Sequence, residues 1–357
     1  MNVPFRIAAL ALAFLLAALS AVPPAFAADY PQPREASWIA KDFRFSTGEV
    51  FPELRIAYTT IGAPTGEPVL LLHGTTGSAA SLLNKDFADE LFGPGQPLDA
   101  ARYYLIIPDA LGTGKSTRPS DGLKAKFPRY NYDDMVHAQH RLVTEGLGIK
   151  HLRLVIGNSM GGMQAWMWAA KYPGFMDAIV PMACLPVAMS GRNHMLRRML
   201  TQAIRNDPDW MGGNYVKQPP NMQRYLLTYG LATFGGNQAL FKQAPDYKKG
   251  DELIAQRLAV PFRGDANDTL YQWESSADYD PWPGLERITA AVLAINASDD
   301  ERNPPELGVM EQAMKRLKSG RYVLLQGGPD TRGHGTTGMA RLWKQHLAEL
   351  LQQAPRQ

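Results

Sequence analysis

The sequence predicts an α/β protein built on a mostly parallel, doubly wound sheet with an inserted helical lid. Three observations carry that expectation. Short apolar runs at 69–72, 103–107, 152–156, 178–182, 291–295 and 321–325 are separated by stretches of helical character, the pattern of a chain that alternates strand and helix. Polar and glycine-containing loops follow the carboxyl ends of these runs, where open parallel sheets place their functional groups. The alternation is interrupted once, from 186 to about 282. That block is rich in Met, Trp, Tyr, Gln and Asn, and Met195, Leu196, Met199, Leu200 and Ile204 recur at helical spacing. With 357 residues, 45% of them apolar, the chain can bury a sizeable core as one large domain carrying an insertion.

Taken in order, residues 1–6 are short with one positive charge, 7–22 are almost wholly apolar, and Pro23-Pro24 precede Ala25-Phe26-Ala27. This is the layout of a secretory signal peptide over 1–27, cleaved after Ala27, which places the mature chain in the periplasm or outside the cell. The apolar stretch is short for a membrane span, so no stable membrane insertion is expected after cleavage. The expected organisation is a first core segment over 28–185, the lid over 186–282 and a second core segment over 283–357. Residues 29–38 read as a polar lead, and 43–45 with 54–60 as an antiparallel pair at a half-buried edge. Within the lid, Asn206-Asp207-Pro208-Asp209 and Lys217-Gln218-Pro219-Pro220 read as breaks between helices. Residues 305–317 and 338–351 read as helices of the core.

Val155-Ile156-Gly157-Asn158-Ser159-Met160-Gly161-Gly162 contains G-x-S-x-G at a strand-to-helix turn. This is the nucleophile elbow of the α/β-hydrolase fold. The turn lifts a serine hydroxyl above the sheet at a helix N-terminus, and Gly157 and Gly161 leave room where a Cβ would clash. A serine hydroxyl needs a base, and the base an orienting carboxylate. In this fold they follow in the order Ser, Asp or Glu, His. Of seven histidines, only His334 follows the last strand. His137 and His140 lie on a polar helical stretch and are expected to face solvent. His151 and His194 adjoin basic residues, and His346 belongs to the terminal helix. His73, in His-Gly-Thr, is expected to brace its loop. The acid is Asp299 or Asp300, which residue order alone does not separate. Backbone N–H groups of Thr75 and Met160 are the expected oxyanion donors.

Other classes are set aside. Net charge is only +3 and no basic block is present, so nucleic-acid binding is not expected. Gly112-Thr113-Gly114-Lys115-Ser116-Thr117 ends like a phosphate loop, but Asp109 stands where the first glycine belongs. No residue spacing suggests a metal site, and no cofactor is expected. Cys184 is the sole cysteine; it sits in an apolar run and reads as a small buried hydrophobe.

The chain resembles the homoserine O-acetyltransferase family of α/β-hydrolases. The matching stretches are 54–62, 91–95 with Leu98-Asp99, Leu111-Gly112 with 114–119, 157–168, and in the lid Gln202-Ala203-Ile204 with Asp207-Pro208-Asp209-Trp210. The resemblance implies an acyl-enzyme with Ser159 as nucleophile and His334 as base. It also selects Asp300 as the acid, because the family's acid is followed four residues later by proline, here Pro304. It further implies a homodimer through the lid. The family's amino-acid-binding pattern is not retained: Leu227, Phe234 and Gly335 stand where an arginine, a tyrosine and an aspartate would hold the acceptor's charges. The expected function is therefore hydrolysis of a small-molecule ester or acyl substrate, with acyl transfer from acetyl-CoA to an alcohol as the alternative. The lid residues Met195, Met199, Trp210, Met211, Tyr225, Phe234 and Trp273 suggest an apolar acyl pocket.

Overall fold

A computed structural model describes residues 29–356. The expected signal peptide, 1–27, lies outside the described residues. Eight strands form one sheet: β1 (Arg34–Arg44), β2 (Val50–Ile61), β3 (Glu67–Leu72), β4 (Tyr103–Pro108), β5 (Leu152–Asn158), β6 (Met176–Met182), β7 (Ala291–Ala297) and β8 (Gly320–Leu325). Their order across the sheet is β1-β2-β4-β3-β5-β6-β7-β8. The β1–β2 and β2–β4 pairs are antiparallel, and β3 to β8 run parallel.

The central parallel strands are mostly apolar because both faces are covered; the edge strand β8 is less buried. Alternation divides each run between two cores. Leu70, Leu72 and Val155 pack with Trp166 and Trp168 on one side. Val69, Leu71, Leu154 and Ile156 pack with Trp343 and Leu347 on the other. Emptying either core of a tryptophan would cost about 3–5 kcal/mol. Cys184 is buried, and burial pushes its thiol pKa up, as suits a packing residue.

Two helices frame the centre of the sheet, α1 (Tyr132–Arg141) and α2 (Met160–Lys171), the latter springing directly from β5. Five more separate β6 from β7: α3 (Gly191–Arg205), α4 (Met222–Thr233), α5 (Asn237–Gln243), α6 (Tyr247–Leu258) and α7 (Ala266–Glu274). They hold a small core of their own around Leu200, Ile204, Trp210, Met222, Tyr229, Leu270 and Trp273. Asp207 caps the turn after α3 by accepting the Asp209 N–H at 2.9 Å. Helices α8 (Val309–Arg316) and α9 (Lys344–Gln353) complete the chain.

Several elements differ from the sequence reading. Residues 34–38 are strand, not a polar lead, because β1 is an edge strand whose first residues, 34–37, are exposed on both faces and so need not be apolar. The helix expected from 305 starts at Val309, since Gly308 takes a left-handed φ of 62° after a single tight turn. The terminal helix starts six residues late because 333–338 and 340–342 are tight 3₁₀ turns. His140 does not face solvent. It is half-buried and stacks on Tyr172 with ring centroids 4.0 Å apart. His137 is also half-buried, its ring 5.1 Å from that of Phe43.

Candidate active site

Ser159 occupies the tight turn between β5 and α2 with φ 56° and ψ −114°. That conformation is costly for a residue with a side chain. The turn closes because its neighbours are glycines. A Cβ on Gly157 would lie 2.2 Å from the Gly161 carbonyl oxygen, and one on Gly161 2.1 Å from that of Leu72. The Ser159 N–H donates to the Met182 carbonyl at 2.8 Å, tying the turn to β6.

Three side chains from separate elements meet here. His334 Nε2 is 2.9 Å from Ser159 Oγ, and His334 Nδ1 is 2.8 Å from Asp300 Oδ2. All three are buried, with 5%, 4% and 2% exposure for Ser159, His334 and Asp300. A carboxylate can only accept, so Nδ1 carries the proton and Nε2 is left to accept from the serine hydroxyl. Asp300 is itself held: Oδ2 accepts from Asn303 Nδ2 at 2.9 Å, and Oδ1 from the Arg302 N–H at 2.9 Å. Burial pushes its carboxyl pKa up, but His334 and these hydrogen bonds outweigh burial and hold it below the ordinary range. Burial lowers the His334 pKa. Asp300 works against that, Arg302 and Arg197 add to it, and the net shift is downward.

Asp299 points elsewhere. Its Oδ2 accepts from Thr331 Oγ1 at 2.6 Å and from the Gly333 N–H at 3.3 Å, so it fastens the loop that carries the histidine. The structure thus separates the two neighbouring aspartates that residue order left equivalent.

His73 lies under the facing loop. Nδ1 donates to the Gly74 carbonyl at 2.8 Å and Nε2 accepts the Ala110 N–H at 3.0 Å. Acceptance at Nε2 requires the neutral ring, and burial lowers its pKa accordingly. The loop it holds runs beside the elbow: a methyl on Gly74 would lie in ordinary contact with Ser159 Cβ, at 3.7 Å. Thr75 therefore lines the same cavity as Ser159 and His334. Met160 is the first residue of α2, where a backbone N–H has no intrahelical partner. Asp109 fixes the phosphate-loop lookalike as a structural knot, accepting the Ala79 N–H at Oδ1 and the Lys115 N–H at Oδ2, each at 2.7 Å.

The cavity above Ser159 has a volume of about 680 Å³ and is roofed by Leu226, Leu227, Tyr229, Phe234 and Trp273. The expected apolar acyl pocket needs correction. Met195, Met199 and Met211 are 64–68% exposed, and Trp210 and Tyr225 belong to the inner lid packing. Only Phe234 and Trp273 of that set reach the cavity, and Arg257, Arg302 and Arg332 line it as well. Phe234 also takes the space beside residue 335: a Cβ on Gly335 would lie 2.6 Å from its Cζ. Two of the three departures from the family's acceptor pattern, Phe234 and Gly335, are thus one packing unit.

Asn303 and Arg302 were not singled out from sequence. They sit in the polar run Asp299-Asp300-Glu301-Arg302-Asn303, which carries no signal beyond that of a loop.

Comparison with known proteins agrees with this architecture. A protein-family model described as alpha/beta hydrolase fold matches residues 67–330. A homoserine O-acetyltransferase from Trichormus variabilis is 37% identical over 294 residues, covering 74% of this chain and 79% of the relative. Among solved structures, a homoserine O-acetyltransferase from Bacillus anthracis superposes with a TM-score of 0.77 at 21% identity, covering 91% of this chain and 99% of the other. An acetylester hydrolase from Corynebacterium glutamicum gives 0.76 at 20% identity, covering 89% and 96%. At these identities the solved structures speak for the fold.

Proposed function

The chain belongs to the α/β-hydrolase fold family, in its homoserine O-acetyltransferase-like branch, and from that premise we propose an exported serine hydrolase that cleaves a carboxylic ester through an acyl-enzyme. The observation that carries the reading is the continuous hydrogen-bond chain Ser159 Oγ to His334 Nε2, then His334 Nδ1 to Asp300 Oδ2. Ser159 Oγ attacks the ester carbonyl carbon while its proton passes to His334 Nε2. The oxyanion is held by the N–H groups of Thr75 and Met160. Collapse of the tetrahedral adduct breaks the bond to the alkoxide, which leaves with the proton from His334. Water then attacks the acyl-enzyme, giving its proton to His334, and the acid departs as Ser159 recovers its hydrogen. Asp300 keeps the imidazole in the required tautomer and stabilises its cation.

A second reading, acyl transfer to an alcohol, is favoured by the names of the sequence relatives. Against an amino-acid acceptor stands the packing of Phe234 into the space beside Gly335, where the charge partners of a zwitterion would be needed. Export rests on the signal-like segment 1–27, and outside the cytoplasm water is the available acyl acceptor.

The test is a panel of short-chain aryl esters on the mature protein beside Ser159→Ala, with acetyl-CoA plus homoserine as a parallel arm. Ester cleavage that vanishes in the alanine variant is the expected result. Equal cleavage by both proteins would end the reading. O-acyl homoserine formed faster than free acid would replace hydrolysis by transfer.

A further inference from the structure

The active-site cavity is lined by three arginines and, among the described residues, by no acidic side chain. Arg332 has a carboxylate partner, Asp86 at 2.8 Å. Arg302 has none within ion-pair distance among the described residues. Its guanidinium lies over the rings of Tyr229 (4.8 Å), Trp273 (5.7 Å) and Phe234 (6.0 Å). One terminal nitrogen donates to Thr233 Oγ1 at 3.0 Å, and Nε is buried with no protein acceptor. The Asp300 and Glu301 carboxylates of its own loop favour its charge from a distance, without pairing with it. The Asp300 oxygens are committed to His334, Asn303 and the Arg302 backbone N–H, and the Glu301 carboxylate makes no ion pair with it.

A second guanidinium reinforces the first. Arg197, 3% exposed, lies 4.9 Å from the Trp273 ring and is held by two neutral partners, Asn193 Oδ1 at 3.0 Å and Ser276 Oγ at 3.1 Å. No carboxylate pairs with it among the described residues. Two of the residues that line the cavity, Trp273 and Tyr229, also carry donors, Nε1 and Oη, that are buried without protein acceptors. A guanidinium stays charged in proteins, and a buried charge without a partner is strongly disfavoured. What the set lacks is an anion with several acceptor lone pairs. The place is close to the chemistry: the Phe234 ring that borders Arg302 is 6.1 Å from the His334 ring.

We propose that Arg302, backed by Arg197 and framed by Tyr229, Trp273 and Phe234, is a specificity-determining residue that binds a free carboxylate on the substrate, so that the preferred substrate is an anionic ester. This rests on the ester-hydrolase reading and narrows its substrate class. Arg302 comes from the loop of the triad acid, so the subsite is built independently of the lid position at Leu227.

The test compares matched pairs. Mono-4-nitrophenyl glutarate against 4-nitrophenyl valerate places the charge on the acyl side. 4-Acetoxybenzoate against its methyl ester places it on the alcohol side. The wild type should favour the anionic member of one pair by about 10- to 100-fold in kcat/KM, the range expected for a charge-assisted hydrogen bond. The pair that responds names the side. In Arg302→Gln that ratio should collapse toward one, chiefly through KM, and Arg302→Lys should restore part of it. As a readout independent of turnover, titrating glutarate into Ser159→Ala should change tryptophan fluorescence through Trp273, with at least tenfold weaker binding once Arg302→Gln is added. A preference for the neutral member in both pairs, or a ratio unchanged by Arg302→Gln, overturns the proposal while leaving Ser159-dependent hydrolysis intact. Turnover that survives Ser159→Ala would instead overturn the underlying reading.

Discussion

Replacing Asp300 by asparagine separates the proposed triad acid from its neighbour, and the geometry gives the size of the effect. Asp300 Oδ2 accepts from His334 Nδ1 and Asn303 Nδ2, and Oδ1 accepts from the Arg302 N–H. Asparagine offers one oxygen and one NH₂. If the NH₂ takes the Oδ1 place, it faces a backbone donor that cannot turn away. If it takes the Oδ2 place, it faces Asn303 and donates to His334 Nδ1, which forces the ring proton onto Nε2. The ring then cannot accept from Ser159. In either pose the buried negative charge that offsets the imidazolium is gone. The expected loss is about 10⁴-fold in kcat, about 5 kcal/mol of barrier at 1.36 kcal/mol per decade. Asp299→Asn weakens only the contacts to Thr331 and Gly333. A charge-assisted bond of about 1.5–3 kcal/mol is at stake there, and it appears in thermal stability, with kcat reduced about tenfold at most. The assay is steady-state hydrolysis of one aryl ester by both variants, with circular dichroism melts alongside. A 10⁴-fold loss in Asp299→Asn with Asp300→Asn within tenfold of wild type would refute the argument.

Three further outcomes follow from the same structure. The base must be neutral, and its pKa is depressed by burial and by the nearby guanidiniums; the acidic limb of kcat/KM on a neutral ester should therefore fall below the ordinary histidine value of about 6.5. Removing the Arg302 charge raises the His334 pKa, so Arg302→Gln should move that limb to higher pH, and a downward move would contradict the electrostatics. Ser159→Gly releases backbone strain of about 1–3 kcal/mol at φ 56° and should melt no lower than wild type while losing esterase activity; a clear drop in Tm would count against strain at the elbow. Gly161→Ala drives a methyl into the Leu72 carbonyl, 2.1 Å away, and should lose about 3 kcal/mol of stability, read as a lowered denaturant midpoint.

Much of this fold is legible in the sequence because burial on two faces leaves an unmistakable mark. Strands β3 to β7 read as mostly apolar runs, since each alternate residue has a core to enter; the buried charged exceptions Arg153 and Asp177 pair with each other at 2.9 Å. The first half of β1 is hidden by the opposite circumstance: an edge strand with an exposed face needs no apolar residues there. The elbow is legible because close backbone approach admits only glycine at 157 and 161. His334 is legible by its place after the last strand. The division of labour between Asp299 and Asp300 is not, because adjacent residues share every linear feature and differ only in which way the turn directs them. Arg302 is hidden for a related reason. In linear order it is one more polar residue in a charged loop, and it becomes a cavity residue only when α4 and α7 bring Tyr229, Phe234 and Trp273 over it. The methionines of α3 mislead in the other direction: they suggest an apolar acyl pocket, but Met195 and Met199 are exposed, while Leu200 and Ile204 of the same helix are buried.

The most direct measurement is the reaction of the protein with a fluorophosphonate, followed by intact mass and peptide mapping. Activation of Ser159 by His334 predicts one adduct per chain on the peptide containing Ser159, and labelling slowed about 10³-fold or more in His334→Ala. No adduct, an adduct on another residue, or equal labelling rates in the two proteins would contradict it.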